Sequence, residues 1–262
     1  KSVYTRKYPE LAGIREVPFC ACEGACECGF RAGDDSRLET LLGPGGHIDP
    51  EEVAFLVMEP IQGVGGYRFP SDEFAREVGR VSADYDIPLI VDEIQTGVGR
   101  SGSIWASDHY PFDPDIITSA KALRVGATIS RSEVFPTEKN RLGSTFGGGD
   151  VLGSMMGTFT LEAIDEHDLL ANATRRGRQA CEILRDDAPD TVVDVRGKGL
   201  MLAVEFDSKE RRDDVMQKAF SRGLLTLSCG YDVLRVLPPL DVTEREIELG
   251  CDLLAAAIAD AA

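Results

Sequence analysis

In the first 148 residues of this chain short continuous apolar runs alternate with an amphipathic stretch, and past Gly148 the pattern changes. The runs at 53–58 and 87–91 end at Glu59-Pro60 and at Asp92. Between them Ser71-Asp72-Glu73-Phe74 is a capped start that predicts a helix to about Tyr85. Strand, helix, strand with apolar strands predicts an α/β fold, a mostly parallel sheet with helices on both faces. A third strand is expected over 115–120 and a fourth near 127–130. Ligands in such sheets sit beyond the carboxyl ends of the strands. Glu59, Asp92 and Lys121 all fall at such ends.

Beyond Gly148 the spacing predicts helices over 151–164 and 169–184. Strands follow near 192–195 and 200–206, then a helix over 211–221 and short strands near 224–227 and 233–236. A last helix runs from Thr243, where Glu246 completes a capping box, to about Ala259. The expected organisation is one large unit over 1–165 and a smaller C-terminal α+β unit over 166–262, joined at a helix. The chain shows no internal repeat and no low-complexity linker.

Charge narrows the partners. With 45 acidic and 28 basic residues the net charge is −17, which argues against nucleic acid and anionic membrane. Arg far outnumbers Lys, and an acidic, Lys-poor surface fits a cytosol of very high salt. No apolar run is long enough to span a bilayer. The opening residues, Lys1-Ser2-Val3-Tyr4-Thr5-Arg6-Lys7, have neither an apolar signal core nor an initiator Met, and read as the interior of a longer sequence. An odd count of seven cysteines without a secretion signal is expected to be reduced thiols in the cytoplasm.

Candidate chemistry centres on Lys121 and Asp92, 29 residues apart. A lysine that forms a Schiff base and a carboxylate that keeps a pyridinium nitrogen protonated are the pair that pyridoxal phosphate uses. Seven blocks then occur in order: Glu59-Pro60-Ile61-Gln62-Gly63-x-Gly65-Gly66, Asp92-Glu93-x-Gln95-Thr96-Gly97-x-Gly99-Arg100, Pro114-Asp115-Ile116, Ala120-Lys121-x-Leu123, Ser144-Thr145-Phe146-Gly147-Gly148, Asp194-x-Arg196-Gly197-x-Gly199-Leu200-Met201 and Arg235-x-x-Pro238-Pro239-Leu240. This resembles the class III pyridoxal-phosphate aminotransferases, the group that includes 4-aminobutyrate, ornithine, acetylornithine and lysine 6-aminotransferases.

The resemblance covers nearly the whole chain and implies fold type I of the pyridoxal-phosphate enzymes. It implies a transaminase moving an amino group from an omega-amino acid to a 2-oxo acid such as 2-oxoglutarate. Lys121 is implied as the catalytic, cofactor-linked lysine, Asp92 as the partner of the ring nitrogen and Gln95 as the contact of the ring hydroxyl. Glu59 matches a glutamate near lysine and ring. Thr145 matches a threonine that reaches the phosphate of the neighbouring subunit's cofactor, which implies a homodimer with shared active sites. Arg235 matches the arginine that binds an α-carboxylate, for which its planar fork is suited.

Three departures stand out. The gating glutamate of the omega-aminotransferases is replaced by Val64, the Gly-rich stretch after the lysine reads Ala122-Leu123-Arg124-Val125-Gly126, and Gly149-Asp150 replaces the familiar Asn-Pro. The family's phosphate loop and ring-stacking aromatic lie upstream of the text that begins here. Two alternatives therefore stand beside the transaminase: an amino-acid racemase on the same scaffold, and a truncated chain that keeps the fold without activity. Cys20-x-Cys22-x3-Cys26-x-Cys28 departs from the usual Cys-x2-Cys spacing; it is read as free surface thiols, and no metal is assigned. His47, His109 and His167 show no ligand spacing.

Overall fold

A computed structural model describes residues 9, 12–32, 35–143, 147–186 and 188–261. Two short strands, β1 (Arg31–Ala32) and β2 (Asp35–Ser36), lead into α1 (Arg37–Leu42). A parallel core follows in β3 (Leu56–Met58), α2 (Asp72–Asp84), β4 (Leu89–Asp92) and β5 (Ile116–Ser119). Its sheet has the order β3-β4-β5-β6, where β6 (Ala127–Ser130) runs antiparallel to β5.

The crossover helix forms where its caps and apolar face agree. Ser71 Oγ accepts from Phe74 N at 3.2 Å and Asp72 and Glu73 occupy the first turn. Phe74, Ala75, Val78 and Val81 are buried against the sheet side of the core, with Phe19 and Phe30 rings 5.2 and 4.8 Å from that of Phe74. Within β4, Leu89 and Val91 are buried, while on the neighbouring strands Val57 and Ile129 stand exposed. Continuous apolar strands thus carry more apolar surface than the described residues cover. β3 is shorter than expected because Asp49 caps a 3-10 turn, Pro50–Glu52, that ends at Val53.

After α3 (Val151–Glu166) and α4 (Leu169–Asp186) comes a four-stranded antiparallel sheet in the order β7-β8-β10-β9: β7 (Val192–Lys198), β8 (Met201–Phe206), β9 (Leu227–Cys229) and β10 (Val233–Val236). It carries α5 (Lys209–Ser221) and α6 (Glu244–Ala261). β8 is buried on both faces, which is why it reads as an unbroken apolar run. Leu202, Val204 and Phe206 pack with helix residues Ala180, Leu184, Val215 and Leu254. Met201 and Ala203 pack the opposite way, with Ile61, Tyr67 and Ala106 from the segments that follow β3 and β4. The strand expected near 224–227 begins only at Leu227. Gly223, at φ +84, closes α5 and lets Leu224 N return to Ala219 O at 2.9 Å, so Leu224 still belongs to the helix end.

Asp150, one of the unexpected residues, caps α3 by accepting from Leu152 N and Gly153 N at 3.3 and 2.9 Å. The Thr243/Glu246 capping box forms as expected. The cysteine cluster departs from the surface thiols read in the sequence: Cys20 is buried, and the other three are half-buried and packed on the α1/α2 core. No helix among the described residues is long and apolar enough to cross a membrane.

Candidate active site

The carboxyl ends of β3, β4 and β5 lie side by side, since Met58 pairs with Val91 and Asp92 with Thr118. Glu59, Asp92 and Lys121 therefore leave adjacent strands at one edge of the sheet. Asp92 Oδ1 accepts from Ile94 N at 3.0 Å and from Thr118 Oγ1 at 3.2 Å, so its carboxylate is oriented by its own turn and by the strand that leads to Lys121. No ion pair involves Asp92 among the described residues. Lys121 is exposed. The turn beyond it packs on α3 at two glycines: a Cβ on Gly157 would stand 2.8 Å from Leu123 O, and one on Gly153 would stand 3.3 Å from Arg124 O.

Glu59 and Gln95 meet at Gly63. Glu59 Oε2 accepts from Gly63 N at 2.8 Å, and a Cβ on Gly63 would lie 2.1 Å from Gln95 Oε1 and 3.2 Å from Glu59 Oε2. Only a residue without a side chain leaves both groups in place. Gln95 Nε2 then donates to Tyr67 Oη at 2.9 Å.

Sequence reasoning missed Tyr67. It is fully buried at φ +48 in the joint between the two sheets. Arg196 holds its backbone, with Nε donating to Tyr67 O at 3.0 Å and Nη2 to Gly66 O at 2.8 Å. Burial pushes the phenol up to about 12, and the nearby Arg235 opposes that shift. A buried left-handed tyrosine has no sequence signature beyond the Gly65-Gly66 before it.

Arg235, on β10, is half-buried; its Nε is shielded from solvent without a hydrogen-bond partner, and no ion pair involves it among the described residues. A guanidinium in that state is poised for an anion. Val64 presents its side chain to a cleft of about 880 Å³ that Glu59, Gln62, Phe19 and Arg68 also line. Its carbonyl accepts from Gly230 N at 2.8 Å, tying the segment after β3 to the turn between β9 and β10.

Glu93, beside Asp92, has a different task. It is fully buried and accepts from Ala106 N at 3.0 Å, Ser107 N at 2.7 Å, Ser107 Oγ at 2.9 Å and Thr96 Oγ1. So many donors make it a brace for the 92–107 segment. Thr145 lies outside the described residues.

The aminotransferase class III family matches residues 31–258, a span that contains every site residue above. The chain belongs to the class III aminotransferases. It is 38% identical over 213 residues to the acetylornithine aminotransferase of Methanopyrus kandleri, covering 79% of this chain and 54% of that protein. It is 35% identical over 230 residues to the leucine/methionine racemase of Thermococcus litoralis, covering 82% and 52%. Among solved structures it resembles the lysine aminotransferase from M. tuberculosis, with 32% identity and a TM-score of 0.76 over 81% of this chain and 51% of that one. The chain thus spans about half the length of the relatives it matches. Enzymes of this family use pyridoxal phosphate. The residues present fit that group: among the described residues Asp92 is an oriented carboxylate with no ion pair, which suits a protonated ring nitrogen, and Arg235 is a cation with no ion pair, which suits a substrate carboxylate.

Proposed function

We propose that this chain carries the catalytic half-site of a pyridoxal-phosphate transaminase that moves an amino group from an omega-amino acid, 4-aminobutyrate-like or ornithine-like, to a 2-oxo acid such as 2-oxoglutarate. The observation that carries this reading is the coupling of Asp92 to the Lys121 strand through Thr118, on adjacent parallel strand ends, in a chain of this family. When bound, the cofactor supplies an electron-withdrawing ring that lowers the barrier to removing a proton from the substrate carbon.

This chain's residues would do the rest. Asp92 holds a proton on the ring nitrogen. Gln95, fixed by Tyr67, presents its amide to the ring hydroxyl, and Glu59 stands beside it. Lys121 anchors the cofactor and carries the proton taken from the substrate. Arg235 receives the substrate carboxylate with its two-pronged fork. Thr145 belongs to the phosphate site of a neighbouring subunit's cofactor, in a homodimer with shared active sites. The apolar face that α3 leaves open, with Val151, Leu152, Met155, Met156 and Phe159 exposed, supports such a pairing. The acidic surface supports a cytoplasm of high salt as the working environment.

Lys121→Ala is expected to abolish both the visible absorption of bound cofactor and amino transfer from the donor. Full turnover in that variant would overturn the assignment. A racemase on the same scaffold is favoured by Val64, because an enzyme that does not alternate substrates needs no gate, and by the likeness to the Thermococcus litoralis protein. Incubation with one amino acid and no 2-oxo acid separates the two: inversion of chirality without a 2-oxo product means racemisation.

A further inference from the structure

Four cysteines that the catalytic reading does not use converge in one place. The Sγ atoms of Cys20, Cys22, Cys26 and Cys28 all lie within 4.8 Å of one another, with 3.9 Å between Cys20 and Cys26 and 3.5 Å between Cys26 and Cys28. None is in a disulfide. We propose that these four thiols form a structural zinc site.

Tetrahedral zinc with bonds of about 2.3 Å sets its sulfurs about 3.8 Å apart. The observed separations bracket that value, so closure on the ion requires shifts of about 1 Å or less. The unusual Cys-x-Cys spacing has a physical logic. Residues two apart in extended backbone point the same way, so each pair offers both thiols to one side. The bend between the pairs contains Gly24 at φ +95, and Gly29 at φ +82 turns the chain after the second pair, a conformation that costs glycine little.

The surroundings fit a closed site. Cys20 is buried, and all four pack with the cluster that contains Phe30, Leu38 and Phe74. Arg31 N donates to Cys26 Sγ at 3.3 Å, the kind of outer contact that steadies a metal-bound thiolate. An all-sulfur set selects a soft or borderline ion over magnesium or calcium. Four thiols binding one Zn²⁺ release up to four protons to solvent, so affinity falls as the medium is acidified.

The site joins two parts of the first unit. Cys20 O accepts from the N-cap residue of α2, Ser71 N, at 2.9 Å. Cys22 and Cys28 line the same cleft as Glu59 and Gln62. Zinc would therefore fix the start of α2 and one wall of that cleft together.

The test is the metal content of the full chain, purified with zinc and without chelator, which needs no turnover and stands apart from the transaminase reading. One zinc per chain is expected, along with protection of four thiols from a thiol-reactive dye until a chelator is added. Replacing zinc with cobalt should give the intense sulfur-to-cobalt absorption of a tetrahedral thiolate site. Cys22→Ser/Cys26→Ser should lose the metal. If that variant does not fold, the cobalt spectrum of the unaltered chain decides alone. Four thiols that react freely with zinc present, a disulfide within the cluster in freshly reduced and exchanged protein, or bound iron with acid-labile sulfide would each overturn the proposal.

Discussion

At the scale of single residues, the site is organised around two charges, Asp92 and Arg235, that make no ion pair among the described residues. Arg235 makes no ion pair among the described residues, and the family resemblance aligns Val64 with the gating glutamate of the omega-aminotransferases. Val64→Glu should therefore raise KM for glutamate by about tenfold, about 1.4 kcal/mol, because a new ion pair must break before the α-carboxylate binds. Donors with only a distal amine should be affected less. Arg235→Lys should impair the same half-reaction by losing the planar fork. Equal glutamate kinetics in all three proteins would remove both roles. Tyr67 gives a second outcome, in stability against pH. Its phenol titrates near 10 in the unfolded chain and about 12 in the folded one. Unfolding releases that proton first as pH rises, so the stability is complete below pH 10 and declines between 10 and 12. Buried Cys229, pushed up to about 11 from 9, opens the same decline from pH 9. Urea midpoints at pH 8, 9.5 and 11 should fall in that order, and Tyr67→Phe should flatten the drop above pH 10. An unchanged slope in Tyr67→Phe would show that the phenol does not contribute.

At the scale of elements, α3 works as a seat for the turn that follows Lys121. Gly157 and Gly153, one turn apart, let Leu123 and Arg124 lie against the helix backbone. Alanine at 157 gains about 1 kcal/mol of helix propensity but places Cβ 2.8 Å from Leu123 O, a backbone atom that must move. Gly157→Ala should therefore keep its melting temperature close to that of the unaltered enzyme while kcat drops at least tenfold. Gly153→Ala, whose Cβ would stand 3.3 Å from Arg124 O and meet the movable Asp150 side chain at 2.8 Å, should do less. Equal kcat in both would mean that the turn is placed by something else. The same contrast shows what was legible in advance. Ser71 and Thr243 announced their helices because capping is local, and the strand ends before Asp92 and Lys121 followed from apolar runs. Gly153 and Gly157 gave no warning, and Gly63 stood in a block without showing its purpose, because each makes room for a partner distant in sequence. Tyr67, and the role of the block residue Arg196, stayed hidden for the same reason: each acts across the joint between the two sheets. The convergence of the four cysteines was not legible from spacing, because the bends at Gly24 and Gly29, and not the count of intervening residues, bring them together.

At the scale of the whole molecule, two features pull against each other. The chain carries a net charge of −17, which makes two copies repel. Yet α3 exposes Val151 and Leu152 at 68% and 73%, and Met155, Met156 and Phe159 lie open beside them. A helix this apolar on its outer face is destabilising to leave in water and favours a second surface against it. Screening decides which tendency wins, since the Debye length shrinks from about 10 Å at 0.1 M salt to about 3 Å at 1 M. Apolar burial is not weakened by that screening. Self-association should therefore strengthen as KCl is raised. The homodimer reading accordingly expects sedimentation velocity at micromolar protein to move from a predominantly monomeric boundary at 0.1 M KCl to a dimeric one at 2 M. The melting temperature should climb over the same range, partly from relief of repulsion within each chain and partly from mass action on the dimer. Raising protein concentration at fixed salt separates the two, because only the second depends on it. Substituting Met156→Glu, at 51% exposure on α3, should leave the intrachain gain with salt intact and suppress the dimer. A salt-independent monomer, or a dimer indifferent to a charge placed on α3, would show that this face does not meet a second copy.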